Sequence, residues 1–306
     1  MRKILLLLVA FCTINVAFAQ FYVSASGGYS IGSAGILTGT SLNDAQTKAT
    51  NHYGSYGEGF NTQLRGGYFF NKMFGLELSL GYLGGSDQNI SNYLKNDDGD
   101  IKEFTNGNAH AEAFGINLAL AYNFNENFYG KIGVVSKLGG KTEATFTRTT
   151  PTPFGPIVAE GVNDYHGRPP LGFTAAFGYK YKLTDNLNLF AELEYLGINV
   201  TRDTSEFAEL TITTPNVPGD VFYPGSPAVP SNTWNLGDAP YLWLSEVPGL
   251  PQETIVPIYA PSEIDYVDSL PEPNNDPSKS LSSVAPYSSF GINIGITYTF
   301  SKKEAK

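Results

Sequence analysis

From residue 21 onward the chain repeatedly alternates large apolar residues with small or polar ones. A period of two marks a strand whose two faces meet different surroundings. In one stretch Phe74, Leu76, Leu78, Leu80 and Tyr82 alternate with Gly75, Glu77, Ser79 and Gly81. In the last, Phe290, Ile292, Ile294, Ile296, Tyr298 and Phe300 alternate with Gly291, Asn293, Gly295, Thr297 and Thr299. Six further stretches, beginning near residues 21, 60, 114, 128, 171 and 187, read the same way, which predicts eight strands.

The connections fall into two classes that alternate along the chain. Those at Asn71-Lys72, Asn125-Glu126 and Thr184-Asp185-Asn186 are tight, with turn-forming residues. The other four, near 32–58, 84–108, 139–169 and 201–286, are long and polar. This layout predicts an all-β fold: an eight-stranded antiparallel up-and-down transmembrane β-barrel with short periplasmic turns and long extracellular loops. The apolar face then meets lipid, because the opposite face is mostly Gly, Ser, Asn, Thr, Lys and Glu and suits a narrow lumen. Aromatic residues flank the Leu/Ile rows at both ends, as in the pairs Phe74/Tyr82 and Phe290/Tyr298. At about 3.3 Å per residue and a tilt of about 40°, that spacing spans roughly 20 Å, close to the apolar band of such barrels. A soluble barrel with aromatic-rich strand interiors is the competing reading, and it leaves the two bands unexplained.

Residues 1–19 read as a secretory signal peptide: Arg2 and Lys3, then the apolar run 4–11, then Ala17-Phe18-Ala19 as the cleavage motif. Cys12 does not fit a lipidation site, since Phe11 stands where that signal needs a small residue. It is the only cysteine, so no disulfide framework or thiolate zinc site is expected. The net charge of -10 argues against nucleic-acid binding, which needs a basic face. Much of that charge lies in the last loop. Between 201 and 285 there are 12 acidic residues against Arg202 and Lys279, together with 13 of the 19 prolines and both tryptophans. This segment is expected to be dispensable for the barrel, although a strand pair, 211–214 with 254–258, could extend the wall from within it.

The chain resembles the OmpA-type outer-membrane β-barrel family, in the small, porin-like form common in Bacteroidetes-like bacteria. The resemblance covers residues 20–300, read as one barrel with a long extracellular loop at about 203–285. It is most specific in Asn293-Ile-Gly-Ile-Thr-Tyr-Thr-Phe300. Asn293, Gly295, Tyr298 and Phe300 look like the assembly signal read by the barrel-assembly machinery. Residues 301–306 depart from the family pattern, in which the terminal Phe often ends the chain, and would form a periplasmic tail. The resemblance implies an integral protein of the cell outer membrane. Its partners would be membrane lipid and lipopolysaccharide, the export pathway and the assembly machinery.

Candidate chemistry is sparse. His52, His110 and His166 fall on the loop side, and Asp164-x-His166 suggests a catalytic pair only if a third group is fixed beside it. Asn96-Asp97-Asp98-Gly99-Asp100 lacks the ligand spacing and distal Glu of a calcium loop. We therefore expect no enzyme activity, no cofactor and no metal. The alternation points Arg65, Lys131, Lys137, Lys180, Glu77, Glu192 and Glu194 inward. Eight strands enclose just enough room for side chains, so an ion-pair network is expected to plug the lumen, with Arg65 facing Glu77 and Lys180 facing Glu192, directly or diagonally, across their turns. The competing arrangement leaves these charges solvated at the barrel mouths. The expected function is envelope-structural or small-solute porin-like. The alternative is surface binding or adhesion by the acidic last loop, with no ligand legible. An outer-membrane enzyme is the remote third reading.

Overall fold

The structure, a computed structural model, describes residues 20–33, 35–43, 45–151, 155–213, 233–235, 263–274, 276 and 278–300. The leader, the 301–306 tail, the segment 254–258 and most of the acidic loop lie outside the described residues.

Eight strands form the barrel: Gln20–Gly32, Gly59–Phe69, Phe74–Gly85, Ile101–Asn123, Phe128–Thr150, Gly172–Lys182, Leu187–Gly197 and Ser289–Phe300. They are called here the first to the eighth strand. Each pairs antiparallel with its neighbours in the chain. The first closes the ring on the eighth, in register from Phe21↔Phe300 to Gly32↔Ser289. Closure leaves no unpaired edge at membrane depth, the condition for a sheet to sit in lipid.

The three tight turns share one device. The Asn71 Oδ1 accepts from the backbone N–H groups of Met73 and Phe74 at 2.8 and 2.7 Å. Asn125 does the same for Asn127 and Phe128, and the Thr184 hydroxyl for Asn186 and Leu187. A short polar side chain thus replaces a missing strand partner at each reversal. Beside these turns runs an aromatic belt, with ring contacts Phe21–Tyr68, Phe74–Tyr122 and Phe128–Tyr179 at 4.7 to 5.1 Å. At the far end of the apolar rows a second belt contains Tyr82–Phe114, Phe173–Tyr195 and Tyr195–Phe290. Between the belts Leu64, Leu78, Ile132, Leu193 and Ile292 face outward and are exposed. This is the lipid-facing surface.

The long connections are not simply loops. The fourth and fifth strands run past the outer aromatic belt to Ile101 and Thr150 and pair along their whole length. Strand Ile157–Gly167 pairs with the fifth, and Asn199–Thr213 pairs with Ile157–Gly167. The barrel wall therefore continues outward as a four-stranded sheet. Segment 211–213 lies in that sheet and pairs with Thr233–Asn235. Short strands at Glu263–Val267 and Val284–Pro286 pair with the same Asn199–Thr213 strand. Ile36–Leu42 and Ala49–Gly54 make a separate hairpin.

A bulge marks where the fifth strand leaves the membrane. Phe114 pairs with Gly139 and Gly115 with Lys137, so Leu138 is an extra residue, and Gly140 follows at φ 96°. Only glycine adopts that backbone at little cost. Inside the extended wall sits a small core of Ala109, Ala111, Ala113, Ala144, Ile198, Val200, Ala285, Tyr56 and Tyr287.

Candidate functional site

A layer of charged and phenolic side chains crosses the lumen at the turn-side half of the barrel. Arg65 on the second strand donates both Nη atoms to the Glu192 carboxylate on the seventh, the Nη1–Oε2 bond being 3.0 Å. Its Nε donates to Gln63 Oε1 at 3.0 Å, and Gln63 passes the chain on to Glu194 at 2.9 Å. Lys131 on the fifth strand bridges two acids, Glu77 at 2.8 Å and Glu192 at 3.1 Å. Tyr22 donates to Glu77 and Tyr129 to Glu192, at 2.7 and 2.8 Å. Asn293 completes Glu194 at 2.6 Å. Within the layer Arg65 and Glu192 are 5% and 3% exposed.

Local sequence explains how the layer fits. Tyr22 is paired in register with Gly67, and Tyr129 with Gly178. A Cβ on either glycine would overlap the tyrosine ring. The two glycines let two large inward rings lie flat against the wall and aim their hydroxyls at carboxylates. The Arg65 guanidinium also packs over Phe190, 5.2 Å from its centroid.

The structure thus brings together five of the charged residues singled out from the sequence: Arg65, Glu77, Lys131, Glu192 and Glu194. It corrects how they pair. Arg65 lies opposite Ser79, and Lys180 opposite Phe190, so Arg65/Glu77 and Lys180/Glu192 are diagonal neighbours and form no ion pair. The bonds run across the lumen, because a long side chain in so narrow a barrel reaches an opposing wall. Lys137 and Lys180 stand outside the network. Lys180 donates to Asn123 Oδ1 at 2.7 Å and lies over the Tyr129 and Phe69 rings. Lys137 lies over the Tyr287 ring at 5.5 Å. Among the described residues no carboxylate is within 4.0 Å of either. Tyr22, Tyr129 and Gln63 were not singled out; an inward aromatic opposite a glycine is the signal that reveals the first two.

Of the assembly-signal residues, Asn293 faces the lumen and Gly295 packs closely, where a Cβ would overlap the Ala25 carbonyl and the Phe190 ring. Tyr298 and Phe300 face outward in edge contact. The histidines do not converge. Ser41 bonds His52, Asp87 bonds His110, and Asp164 bonds Lys141 rather than His166. Among the described residues no three His, Cys, Asp or Glu side chains gather to hold a metal ion.

Above the layer are two cavities. The inner, of about 130 Å³, is lined by Asn61, Asn117, Thr174 and Glu194. The outer, of about 220 Å³, lies within the extended wall. Lys137, Val200 and Tyr287 line both and form the partition between them.

The sequence model of the outer membrane protein beta-barrel domain matches residues 4–216. Among solved structures the chain is similar to the outer membrane protein OprG from Pseudomonas aeruginosa, at 12% identity over 93% of this chain and 97% of that one, with a TM-score of 0.34. It is also similar to a major outer membrane protein from Thermus thermophilus, at 14% identity over 92% and 99% of the two chains, with a TM-score of 0.38. No curated protein matches the chain.

Proposed function

Because the chain belongs to the outer membrane protein β-barrel domain family, and so is an outer-membrane barrel protein, we propose that it serves the envelope as a barrel whose lumen is shut to solutes. The bridging of Glu77 and Glu192 by Lys131, beside the Arg65–Glu192 pair, carries this reading. Each charge in that layer has an opposite charge or a phenol in contact, so hydration and opening would replace bonds already made. The proposed role needs no catalytic group, cofactor or metal. Its partners are lipid and lipopolysaccharide around the apolar belt, and the export and assembly pathways, with the leader removed.

Planar-bilayer recording tests the closed lumen. Wild type should pass no steady current, and Glu192→Ala, which removes the Arg65 bidentate partner and one of the two acids that Lys131 bridges, should raise conductance. A large, steady wild-type conductance would overturn this reading in favour of an open porin.

A further inference from the structure

The outer cavity holds an imbalance of charge that the lower layer does not. Its lining includes Lys137, Arg202 and His166, and among the described residues no carboxylate lines it. Arg202 stacks on the Tyr165 ring, 4.4 Å from its centroid, and its guanidinium has no acidic partner within 4.0 Å among the described residues. The phenols of Tyr56, Tyr165 and Tyr287 all lie in the field of Arg202, which lowers their pKa against the larger upward effect of burial. Tyr56 and Tyr287 line the same cavity as Arg202 and Tyr165. Lys137, 8% exposed, forms the floor over Tyr287. Glu206 is 3.9 Å from the His166 ring and does not line the cavity.

This is unusual for a chain of net charge -10. Acidic residues are abundant, yet among the described residues none pairs with the buried Lys137. A buried cation costs free energy unless paired. The walls around the two cations combine rings and small apolar groups, such as Tyr56, Tyr165, Tyr287 and Ala144, with the polar Asn92 and Thr142. Tyr56 and Tyr287 are 5.9 Å apart, centroid to centroid, and the Tyr287 hydroxyl is tied to Thr142 at 2.6 Å. Rings and polar groups share this concave space, so it can meet both the charged and the apolar part of a small molecule.

We propose that the outer cavity binds a small organic acid, its carboxylate held between Arg202 and Lys137 and its apolar body against the three tyrosine rings. Arg202 provides a planar fork suited to a carboxylate, and Lys137 adds a point charge from below. The site is formed by the extended wall and the partition, and does not depend on the closed lumen. A conducting wild type would overturn the closed-lumen reading and leave this one standing.

The test is calorimetric titration of the folded full-length protein in detergent with benzoate, and with benzamide as its uncharged counterpart. Benzoate should bind saturably, and benzamide about tenfold or more weaker. Arg202→Gln and Lys137→Gln should each weaken benzoate by about tenfold or more and leave benzamide little changed. Lys182→Gln, at an exposed turn on the opposite end, should alter neither. Heat-modifiable migration of every variant establishes that the barrel has folded. Lys137 is buried, so Arg202→Gln, half-buried at the wall, remains decisive should Lys137→Gln fail to fold. Equal binding of benzoate and benzamide, benzoate affinity unchanged in Arg202→Gln, or no saturable benzoate binding would each overturn the proposal.

Discussion

The Arg65 guanidinium grips the Glu192 carboxylate with two parallel hydrogen bonds although the two residues stand three strands apart around the barrel. The pair holds opposite walls together through the interior. Cutting the Arg65 side leaves the buried Glu192 short of its bidentate partner, with only Lys131 and Tyr129 still in contact. We expect Arg65→Ala to destabilise the folded barrel by about 3–5 kcal/mol, and the double change Arg65→Met with Glu192→Leu to recover most of it. Urea unfolding in detergent, followed by gel migration, reads both. A single variant as stable as wild type would show that the layer is hydrated rather than dry.

The eighth strand is expected to carry assembly as well as closure. Gly295→Asp forces a side chain into the Ala25 carbonyl and the Phe190 ring and adds a charge to the wall. Phe300→Ala removes one outward aromatic from the turn-side belt. Both should lower the amount of folded protein in the outer membrane, whereas deleting 301–306 should not. Normal levels of folded Phe300→Ala would argue against the assembly role.

The extended wall should loosen in acid before the barrel does. Lys141 is bonded to Asp164 and Glu143 at 2.8 and 2.7 Å on the wall. Those bonds raise the Lys141 pKa and, from the other side, lower that of Glu143. The Glu143 contribution is complete above the ordinary carboxylate value and is lost as pH falls through its lowered value. The Lys141 contribution is complete below the ordinary lysine value and is lost only as pH rises through its raised one. Both side chains are about one-third exposed, so the effect is modest. Hydrogen exchange in 139–150 and 157–167 should quicken below the ordinary carboxylate range while 289–300 stays protected. Simultaneous loss of protection in both regions would contradict this.

The segment 203–285 can no longer be treated as one dispensable loop. Residues 203–213 pair with Ile157–Gly167, and Val284–Pro286 pairs with the start of the same strand. Deleting 214–262 should leave both barrel and wall protected from protease. Deleting 203–284 should leave the barrel heat-modifiable but expose 157–167 to cleavage. Resistance of 157–167 in the longer deletion would mean the wall stands without its fourth strand.

The contrast between barrel and wall shows what a period-two pattern can reveal. Within the membrane the outward face must be apolar, so Leu76, Leu78 and Leu80 write the strand into the sequence. Beyond the outer belt the outward face carries Glu112, Lys141 and Glu143 while the inward face is Ala111, Thr142 and Ala144. The strand continues there, but its hydrophobic signature is gone, and 139–150 reads as loop. Ion-pair partners were hidden for another reason. Alternation puts Arg65 and Glu192 on the inward face, but which acid Arg65 meets depends on the curvature and stagger of the whole ring, and neither is written between neighbouring residues.

The bulge at Leu138 has a consequence for how such a chain can change. Below it the odd-numbered residues of the fifth strand, Tyr129, Lys131 and Lys137, face in; above it the even-numbered Thr142 and Ala144 do. The spare residue acts as a slip joint, so that the outer half is phased on its own terms. Deleting Leu138 should erase the bulge and leave 139 following 137 in plain alternation, with Thr142 and Ala144 still inward and Lys141 and Glu143 still outward, and protease mapping of the wall would register any inversion. Insertions or losses above the joint can remodel the face presented to the surroundings, leaving the lipid-facing rows in step.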